Sequence, residues 1–482
     1  MLTPSLTDLA SVAPEIVLAV AVGVLLVVEA FLPGIRRFMS PITIAATLIA
    51  AWARFHFPLP GAVWGGLLSI DRVAAFVDLY ILVAVLLTAW MSGPFLRRNN
   101  ADRGEYYSLL LLAAIGAMVM AASVDALTLF LGLELLSIPL YVLNAFLRGN
   151  PISIEAGLKY FVVGAFASAF VVYGFSLMYG MAGSTRLLAM GQAVINAGGM
   201  EPLMAIGLAG VVGGLGFKLA LFPFHGWAPD VYQGGPTPVT AFLSVVPKGA
   251  ALVALLRLVD GLDLLHMSPH WVAVAGVVAV ASMTLGNVVA IVQRDLKRML
   301  AYSGIAHMGY AMVGVIVAGV DGGSAVLVYL AAYTLMNVGA FAVVALLSER
   351  EDEPHLISEL AGQGWTRPIP AFALSLCLVS LAGVPPLIGF TGKFVVFRAA
   401  VNHGFVWLAV LGVINSLISA FYYLRVVYVM YMQPLPRRPP VFASARSVAA
   451  VAVVAALGVV VLGLLPMPIL EAAQQAILDL AR

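Results

Sequence analysis

The sequence predicts an all-α polytopic membrane protein of about fourteen transmembrane helices. Of its 482 residues, 62% are hydrophobic and only 10% are charged, whereas ordinary soluble domains have about 25% charged residues. Apolar stretches of about 20 residues, the length that crosses a bilayer as a helix, recur along the whole chain. This composition excludes a soluble enzyme. The net charge of +2 gives no reason to expect a nucleic-acid partner.

Windows of about 20 apolar residues predict fourteen spans. The first apolar run is too long for the core of a cleaved signal peptide, and no Lys or Arg precedes it, so it is expected to be a transmembrane helix. A short piece at 225–234 and a surface helix in the last dozen residues complete the prediction. The predicted spans are 14–32, 39–57, 72–93, 107–122, 125–147, 153–180, 203–222, 237–259, 271–292, 298–319, 323–347, 369–398, 404–430 and 446–466.

Charge placement predicts the orientation, because cytoplasmic loops of membrane proteins are enriched in Lys and Arg. If the N-terminus is periplasmic, the opposite loops have few positive charges, chiefly Arg54, Arg72 and Arg186. Both termini are therefore expected on the periplasmic side of a bacterial inner membrane. The loops expected to be cytoplasmic contain Arg36, Arg37, Arg97, Arg98, Arg103, Arg148, Arg294, Lys297, Arg298, Arg350, Arg367, Arg437, Arg438 and Arg446.

Two spans are predicted to be broken. The seventh meets Pro223 soon after Lys218, and the twelfth contains Pro385 and Pro386 shortly before Lys393. Proline removes a backbone donor and clashes with the preceding turn, which lipid tolerates only where the break is buried in protein or lines a cavity. Broken helices in two halves of opposite orientation are typical of inverted repeats in transporters. The alternative is two unrelated proline kinks.

The chain has only five lysines, and four of them lie inside apolar stretches: Lys159, Lys218, Lys248 and Lys393. Only Lys297 is expected in an ordinary polar loop. A charged side chain at mid-membrane costs about 2.5–3.5 kcal/mol on insertion scales, so four such groups predict proton or ion movement. Lys159, near the start of the sixth span, could instead extend to the cytoplasmic surface.

One carboxylate and two histidines are further candidates for this polar axis. Glu134 lies well inside the fifth span, either as a structural ion-pair partner or as a carboxylate that controls how a neighbouring lysine takes up and releases a proton. His225 adjoins the first break and is expected to hydrogen-bond or share a proton. His307, in the tenth span, joins a polar chain or is a satisfied core histidine.

Cofactors are not expected in this chain. It has one cysteine, Cys377, and an iron–sulfur cluster or structural zinc site needs several. No second His or Cys has metal-ligand spacing to His225, and no glycine-rich nucleotide loop follows a strand pattern. Redox chemistry that drives the protein must therefore take place in another chain.

Four segments resemble the antiporter-like membrane subunits of respiratory complex I, the proton-pumping NADH:quinone oxidoreductase. They are FLGLELLSIPLYVLNAF at 130–146, FKLALFPFHGWAPDVYQGGPTPVTAFLSVVPK at 217–248, GNVVAIVQRDLKRMLAYSGIAHMGY at 286–310 and GVPPLIGFTGKF at 383–394. The segments cover both halves of the chain, and the middle two are long and specific.

The resemblance implies the domain organisation. A three-helix region (1–105) precedes two inverted five-helix repeats (106–260 and 261–432), each with a broken helix, and 433–482 adds the last transmembrane helix and a surface tail. The resemblance also implies that a flavin, iron–sulfur clusters and quinone belong to partner subunits. Those partners would be other membrane subunits of the complex, including antiporter-like neighbours, within the lipid bilayer.

Roles follow by position from the same resemblance. Glu134 is expected to be the partner of Lys218, and Lys159 to lie near that pair. Lys248 is then the central relay and Lys393 the terminal lysine of the axis. The lysines are expected to face the protein interior, with His225 and His307 supporting them in proton transfer.

The function that this resemblance implies is proton translocation by a subunit of NADH:quinone oxidoreductase, coupled to electron transfer in other subunits. One alternative is a subunit of a related cation/proton antiporter or membrane-bound hydrogenase complex, which would share the lysines. The other is a membrane scaffold. A scaffold is disfavoured because it would be more stable with leucine in place of each intramembrane lysine.

Overall fold

The computed structural model describes residues 5–268, 270–347, 355–435 and 445–480. Arg350, Arg437 and Arg438, used above for orientation, lie outside these ranges. The helices are α1 (Leu6–Ser11), α2 (Ala13–Phe31), α3 (Met39–His56), α4 (Arg72–Arg98), α5 (Gly104–Ala122), α6 (Ala126–Asn144), α7 (Pro151–Ala182), α8 (Leu187–Asn196), α9 (Pro202–Leu219), α10 (Ala228–Gly234), α11 (Thr237–Gly261), α12 (Leu264–Met267), α13 (Trp271–Val292), α14 (Leu296–Val317), α15 (Gly319–Leu347), α16 (Gln363–Thr366), α17 (Pro368–Ala382), α18 (Ile388–Asn402), α19 (Val406–Met432), α20 (Arg446–Leu464) and α21 (Met467–Leu480).

Three shorter features complete the secondary structure. Short 3₁₀ helices form at Pro33–Phe38 and Ile357–Leu360. Between α3 and α4, β1 (Gly61–Val63) and β2 (Leu68–Ile70) form an antiparallel hairpin in which Gly61 pairs with Ile70. The hairpin and α8 were not predicted from the sequence, because both are too short to give a transmembrane signal.

The predicted spans match the helices. Within the described ranges, thirteen helices are long and apolar enough to cross a membrane. The remaining predicted span, 369–398, is divided into α17 and α18, of 15 residues each. The predicted surface helix near the C-terminus is α21. The all-helical membrane fold expected from composition is therefore confirmed.

Side chains that cap helix N-termini explain where several helices begin. Asp71, Asp125, Asn150 and Asp295 accept hydrogen bonds from backbone N–H groups in the first turns of α4, α6, α7 and α14, respectively. These contacts satisfy donors that the helix itself leaves free. Asp125 and Asp295 also form isolated antiparallel bridges with residues at the same interval along the chain, Arg186 and Leu356.

Helices α5 and α6 pack in backbone contact through two glycines. A Cβ atom at Gly116 would lie 2.3 Å from the backbone nitrogen of Leu136, and one at Gly132 would lie 2.6 Å from the backbone nitrogen of Met120. Small residues allow such close approach between membrane helices. The contact holds α6, which carries Glu134, at a fixed depth and rotation.

Helix α11 lies at the centre of the molecule. Its whole transmembrane window is buried, whereas only a third of the corresponding windows of α2, α7 and α20 is buried. It contacts α4, α5, α6, α9, α14 and α15. A polar group on α11 is therefore surrounded by protein on all sides, and Lys248 is such a group.

Candidate functional site

Both predicted helix breaks are present. Helix α9 ends at Leu219 and α10 begins at Ala228, so Lys218 lies in the last turn before the first break. Helix α17 ends at Ala382 and α18 begins at Ile388, and Lys393 lies in the second turn of α18. Each break thus places one lysine close to backbone groups that have no hydrogen-bond partner within their own helix.

Neighbouring groups satisfy backbone atoms that the breaks release. The indole Nε1 of Trp227 donates to the carbonyl oxygen of Phe217 at 2.9 Å. At the second break, the backbone nitrogen of Gly389 donates to Ser380 Oγ at 3.0 Å. Such compensation is required of irregular backbone at membrane depth, and it makes the breaks stable parts of the fold.

Lys218 is buried in an aromatic pocket. Its ammonium nitrogen lies 5.1 Å from the ring centre of Tyr160, 5.2 Å from that of Tyr141 and 5.7 Å from that of Phe217. At these distances the ring faces attract a cation. Among the described residues Nζ has no hydrogen-bond partner.

Glu134 and Lys218 do not form a direct ion pair in this structure. Glu134 is the charged side chain that acts electrostatically on Lys218, but no ion pair of 4.0 Å or less joins them in the described ranges. Glu134 Oε1 is buried and, like Lys218 Nζ, lacks a hydrogen-bond partner there. A bridging water would accept a hydrogen bond from Lys218 Nζ and donate one to Glu134 Oε1; closer approach of the pair stays a prediction.

Lys248 lies at the middle of α11 and is fully buried. Its Nζ is 5.4 Å from the ring centre of Tyr232. A Cβ atom at Gly304 of α14 would lie 2.7 Å from Lys248 Nζ and 2.8 Å from the Tyr333 hydroxyl. Gly304 therefore leaves the space that the ammonium and this hydroxyl occupy, and neither atom has a hydrogen-bond partner among the described residues.

His307 is held between two tyrosine hydroxyls. Its Nδ1 is 2.6 Å from Tyr329 Oη and its Nε2 is 3.1 Å from Tyr423 Oη. The ring also lies 5.1 Å from that of Tyr333, centre to centre. With a hydrogen bond at each nitrogen, the imidazole can accept a proton on one side and release it on the other.

Lys393 has direct hydrogen-bond partners, unlike Lys218 and Lys248. Its Nζ donates to the Ala382 carbonyl at 3.0 Å, at the end of the broken helix, and to Ser416 Oγ at 2.8 Å. It also lies 4.9 Å from the ring centre of Tyr310. The second break therefore supplies a ligand for the lysine that follows it.

Aromatic rings connect these groups into one series, which we call the buried row: Lys218, Lys248, His307, Lys393 and the rings between them. The four ionisable side chains are at most 4% exposed, so the prediction that they face the protein interior is confirmed. Tyr160 stacks on Trp227 at 4.7 Å and Trp227 contacts Tyr232 at 6.4 Å, which leads from Lys218 to Lys248. The remaining links are Tyr333 to His307 at 5.1 Å and His307 to Tyr310 at 5.7 Å.

The prediction that Lys159 faces the interior was wrong. Its side chain is 45% exposed, and its Nζ lies 2.8 Å from Glu155 Oε1 and 3.0 Å from Asp230 Oδ2. Helix α7 turns this face outward, together with the exposed side chains of Leu158 and Phe161. Lys159 is therefore paired at the periphery, separate from the buried row.

Asp230 joins Lys159 to the second half of the chain. Its Oδ1 lies 2.6 Å from Arg298 Nη1, at the start of α14. Partial burial acts to raise the pKa of Asp230, but Arg298 and Lys159 outweigh it and hold this pKa below its usual range. The carboxylate is thus ionised at neutral pH and connects α7, α10 and α14.

Lys297 is the buried lysine that the sequence did not reveal. It was expected in a polar loop, but it lies fully buried in the first turn of α14. Its Nζ donates to the Gly235 carbonyl at 2.8 Å and to Thr237 Oγ1 at 3.3 Å. The polar neighbours of Lys297, such as Arg294 and Arg298, gave no sign of this burial. The Lys297 side chain turns inward to the loop between α10 and α11.

His225 is beside the first break as expected, but the structure does not bring it into the buried row. Its ring stacks on Phe222 at 5.9 Å, and its buried Nδ1 has no hydrogen-bond partner within the described ranges. The contacts that link Lys218 to Lys248 pass through Trp227 instead. A supporting role for His225 in proton transfer stays a prediction.

Two broken helices that bring ionisable groups into one buried series define an antiporter-like membrane protein. The family described as NADH:quinone oxidoreductase/Mrp antiporter, TM, matches residues 123–419. The chain is 41% identical over 476 residues to NADH-quinone oxidoreductase subunit N of Trichlorobacter lovleyi, with 96% of each chain covered. The chain therefore belongs to the NADH:quinone oxidoreductase/Mrp antiporter family, among its subunit N relatives, which confirms the resemblance seen in the sequence.

Solved structures agree with this assignment. A chain of respiratory complex I from Thermus thermophilus with bound aureothin has a TM-score of 0.81 and 34% identity, covering 95% of this chain and 99% of that one. A chain of the Mrp complex from Dietzia sp. has the same TM-score at 21% identity, with 97% of each chain covered, and shows the fold alone. Both neighbours are chains of multi-subunit complexes.

Proposed function

We propose that this chain translocates protons as a membrane subunit of NADH:quinone oxidoreductase, with the buried row as the proton-carrying element. The observation that carries the proposal is the burial of Lys218, Lys248, His307 and Lys393 in one connected series. Buried ionisable groups are costly in a membrane, and a purely structural helix bundle gains nothing from four of them. Moving one charge against 100 mV requires about 2.3 kcal/mol, which redox chemistry elsewhere in the complex would supply.

Each member of the row has a distinct role in this proposal. Lys218 takes up a proton under the influence of Glu134. Lys248 is the central relay and takes up and releases a proton in the middle of the molecule. His307 transfers a proton between its two tyrosine partners. Lys393 is the terminal group, stabilised when charged by the Ala382 carbonyl and Ser416.

Electron carriers would lie in partner subunits. The lone Cys377 cannot provide the several thiolates that an iron–sulfur cluster requires. In the proposed complex, a flavin, iron–sulfur clusters and quinone therefore belong to other chains. This subunit would take part in the reaction as a non-redox component, in contact with other membrane subunits and with lipid.

We also propose the domain boundaries and inverted repeats: 1–105, 106–260, 261–432 and 433–482. The second helix of each repeat, α6 or α14, is capped by an aspartate that bridges to a residue at the same interval. Each repeat then contains a broken helix, α9/α10 or α17/α18, followed by a long helix. These paired features support a repeat, and a sequence with two unrelated kinks would not reproduce them.

The function is tested by purifying the tagged subunit from membranes of its source. NADH oxidation by the co-purified complex and NADH-driven proton uptake in vesicles are the expected results. Cation/proton exchange without NADH oxidation would contradict the proposal and favour the antiporter alternative.

Glu134→Gln is expected to lower proton pumping several-fold while the complex remains assembled. The amide keeps the shape of the side chain but removes the charge that acts on Lys218. NADH-driven proton uptake per assembled complex is the measurement, and Glu155→Gln is the matched control because Glu155 is exposed. Equal pumping by the two variants would show that Glu134 is structural.

Both termini are expected on the periplasmic side of the inner membrane. Alkaline phosphatase fused to either terminus should be active, since this enzyme folds only outside the cytoplasm, and a fusion in the loop at 99–103 should be inactive. The prediction rests on the arginine asymmetry among loops. An inactive fusion at one terminus, with the loop control behaving as expected, would mean that a span was miscounted.

A further inference from the structure

A second group of buried charges lies outside the buried row, in the N-terminal three helices. Arg54 of α3 and Asp78 of α4 form an ion pair of 3.3 Å between Nη1 and Oδ2, and both side chains are 1% exposed. Glu15, in the first turn of α2, acts electrostatically on both residues. Asp78 lies about 9 Å along the axis from the first residue of α4, whereas Glu15 and Arg54 lie in the end turns of their helices.

The three side chains leave several polar atoms unpaired. Asp78 Oδ1, Arg54 Nε, Arg54 Nη2 and Glu15 Oε2 are all buried and have no hydrogen-bond partner among the described residues. Buried donors and acceptors without partners are costly. This group is therefore poorly explained as a satisfied structural ion pair.

The group of Glu15, Arg54 and Asp78 has an excess of one negative charge when both carboxyl groups are ionised. It then contains two negative charges and one guanidinium, which within the described ranges pairs with Asp78 alone. The guanidinium of Arg257 does not neutralise this excess, because its Nη1 and Nη2 already donate to the two oxygens of the nearby Asp71 at 2.9 Å each. Tyr80, the next polar side chain on α4, has a buried hydroxyl without a partner.

We propose that Glu15 and Asp78 together bind one proton beside Arg54 and so form a buried proton-binding site. Binding converts one carboxylate to a carboxylic acid, and release regenerates the carboxylate, with no other bond formed or broken. Two carboxylates that share a buried site resist ionising together, and one proton removes the excess charge.

Two neighbours of the site on the chain, Asp71 and Tyr80, contact the central helix. The Tyr80 hydroxyl lies against Gly249, where a Cβ atom would come within 1.9 Å of it, and Asp71 holds Arg257 of the same helix, α11. Gly249 follows Lys248 directly. A change of charge at Asp78 therefore acts on the segment that carries Lys248, although the site itself is separate from the buried row.

Infrared difference spectroscopy of the assembled complex tests the proposal through the C=O stretch of protonated carboxyl groups. Glu15→Gln and Asp78→Asn should each remove the same single band, because the remaining carboxylate then pairs with Arg54 and ionises. Arg54→Gln should instead give twice the band, since both carboxyls lose their counter-charge. Glu201→Gln, at an exposed carboxylate, is the control and should leave the band unchanged.

Two results would overturn the inference. An unchanged band in both carboxyl variants would show that neither group is protonated. Loss in only one variant would assign the proton to that residue alone and exclude sharing. Because the readout is a spectral band and not proton pumping, failure here is distinguishable from failure of the proposed function. Should Arg54→Gln fail to assemble, the two isosteric carboxyl variants still decide the question.

Discussion

Lys248→Ala is expected to lower NADH-driven proton pumping more than any other single lysine substitution in this chain. Lys248 is the central member of the buried row, fully enclosed and facing Tyr232 and the Tyr333 hydroxyl. Alanine removes the only group that can carry charge at this position. The subunit should still fold, because losing a buried charge without an ion-pair partner need not destabilise a core.

The measurement is the proton-to-electron ratio in vesicles, normalised to the amount of assembled complex. Lys159→Ala is the matched control, since it removes the same functional group from an exposed, peripheral position. We expect pumping by Lys159→Ala to be close to wild type. A wild-type ratio for Lys248→Ala would mean that the lysine is structural and that the proposed relay is wrong.

Gly116→Val is expected to prevent stable assembly. A side chain at this position would meet the backbone atoms of Leu135 and Leu136, at 2.6 and 2.3 Å from the first added carbon. Backbone cannot rotate away as a flexible side chain can, so α5 and α6 must separate. We expect a loss of about 3 kcal/mol, the upper part of the range for overpacked cores, together with displacement of Glu134.

The amount of assembled complex in membranes and its thermal midpoint measure this effect. Gly180→Ala is the control, because that glycine lies in helix α7 with no atom within 4 Å of an added Cβ. Alanine there should be neutral or slightly stabilising, since it favours helix more than glycine does. Normal assembly of Gly116→Val would show that the contact between α5 and α6 is looser than the structure indicates.

The spans and breaks could be predicted from the sequence because their causes are local. Apolar length sets the number of helices, and Pro223, Pro385 and Pro386 mark the breaks without any knowledge of tertiary contacts. The lysine side-chain directions depend on packing, and there the sequence misled. Lys159 lies in an apolar stretch but faces outward, whereas Lys297 lies in a polar stretch but turns inward.

The tyrosines of the buried row also escaped the sequence reasoning. Tyr310, Tyr329, Tyr333 and Tyr423 lie inside spans, whereas tyrosine in membrane proteins is enriched at the two interfaces. That departure is the signal that could have revealed them. Their pairing with His307 could not have been read from spacing, because three separate helices, α14, α15 and α19, supply the contacts.

The two halves of the buried row differ in what they can conduct. Between Lys248 and Lys393 lie hydroxyls and an imidazole, which both donate and accept. Lys248 Nζ and Tyr333 Oη have no hydrogen-bond partner among the described residues, so a proton can cross this half only when a water or a side-chain movement joins these two groups. Between Lys218 and Lys248 the link is Trp227, whose indole can only donate and already does so to the Phe217 carbonyl. Across that indole, a proton cannot pass along the side chains, but an electric field can. A proton arriving at Lys218 would thus be felt at Lys248 as repulsion, so that loading one site empties the other.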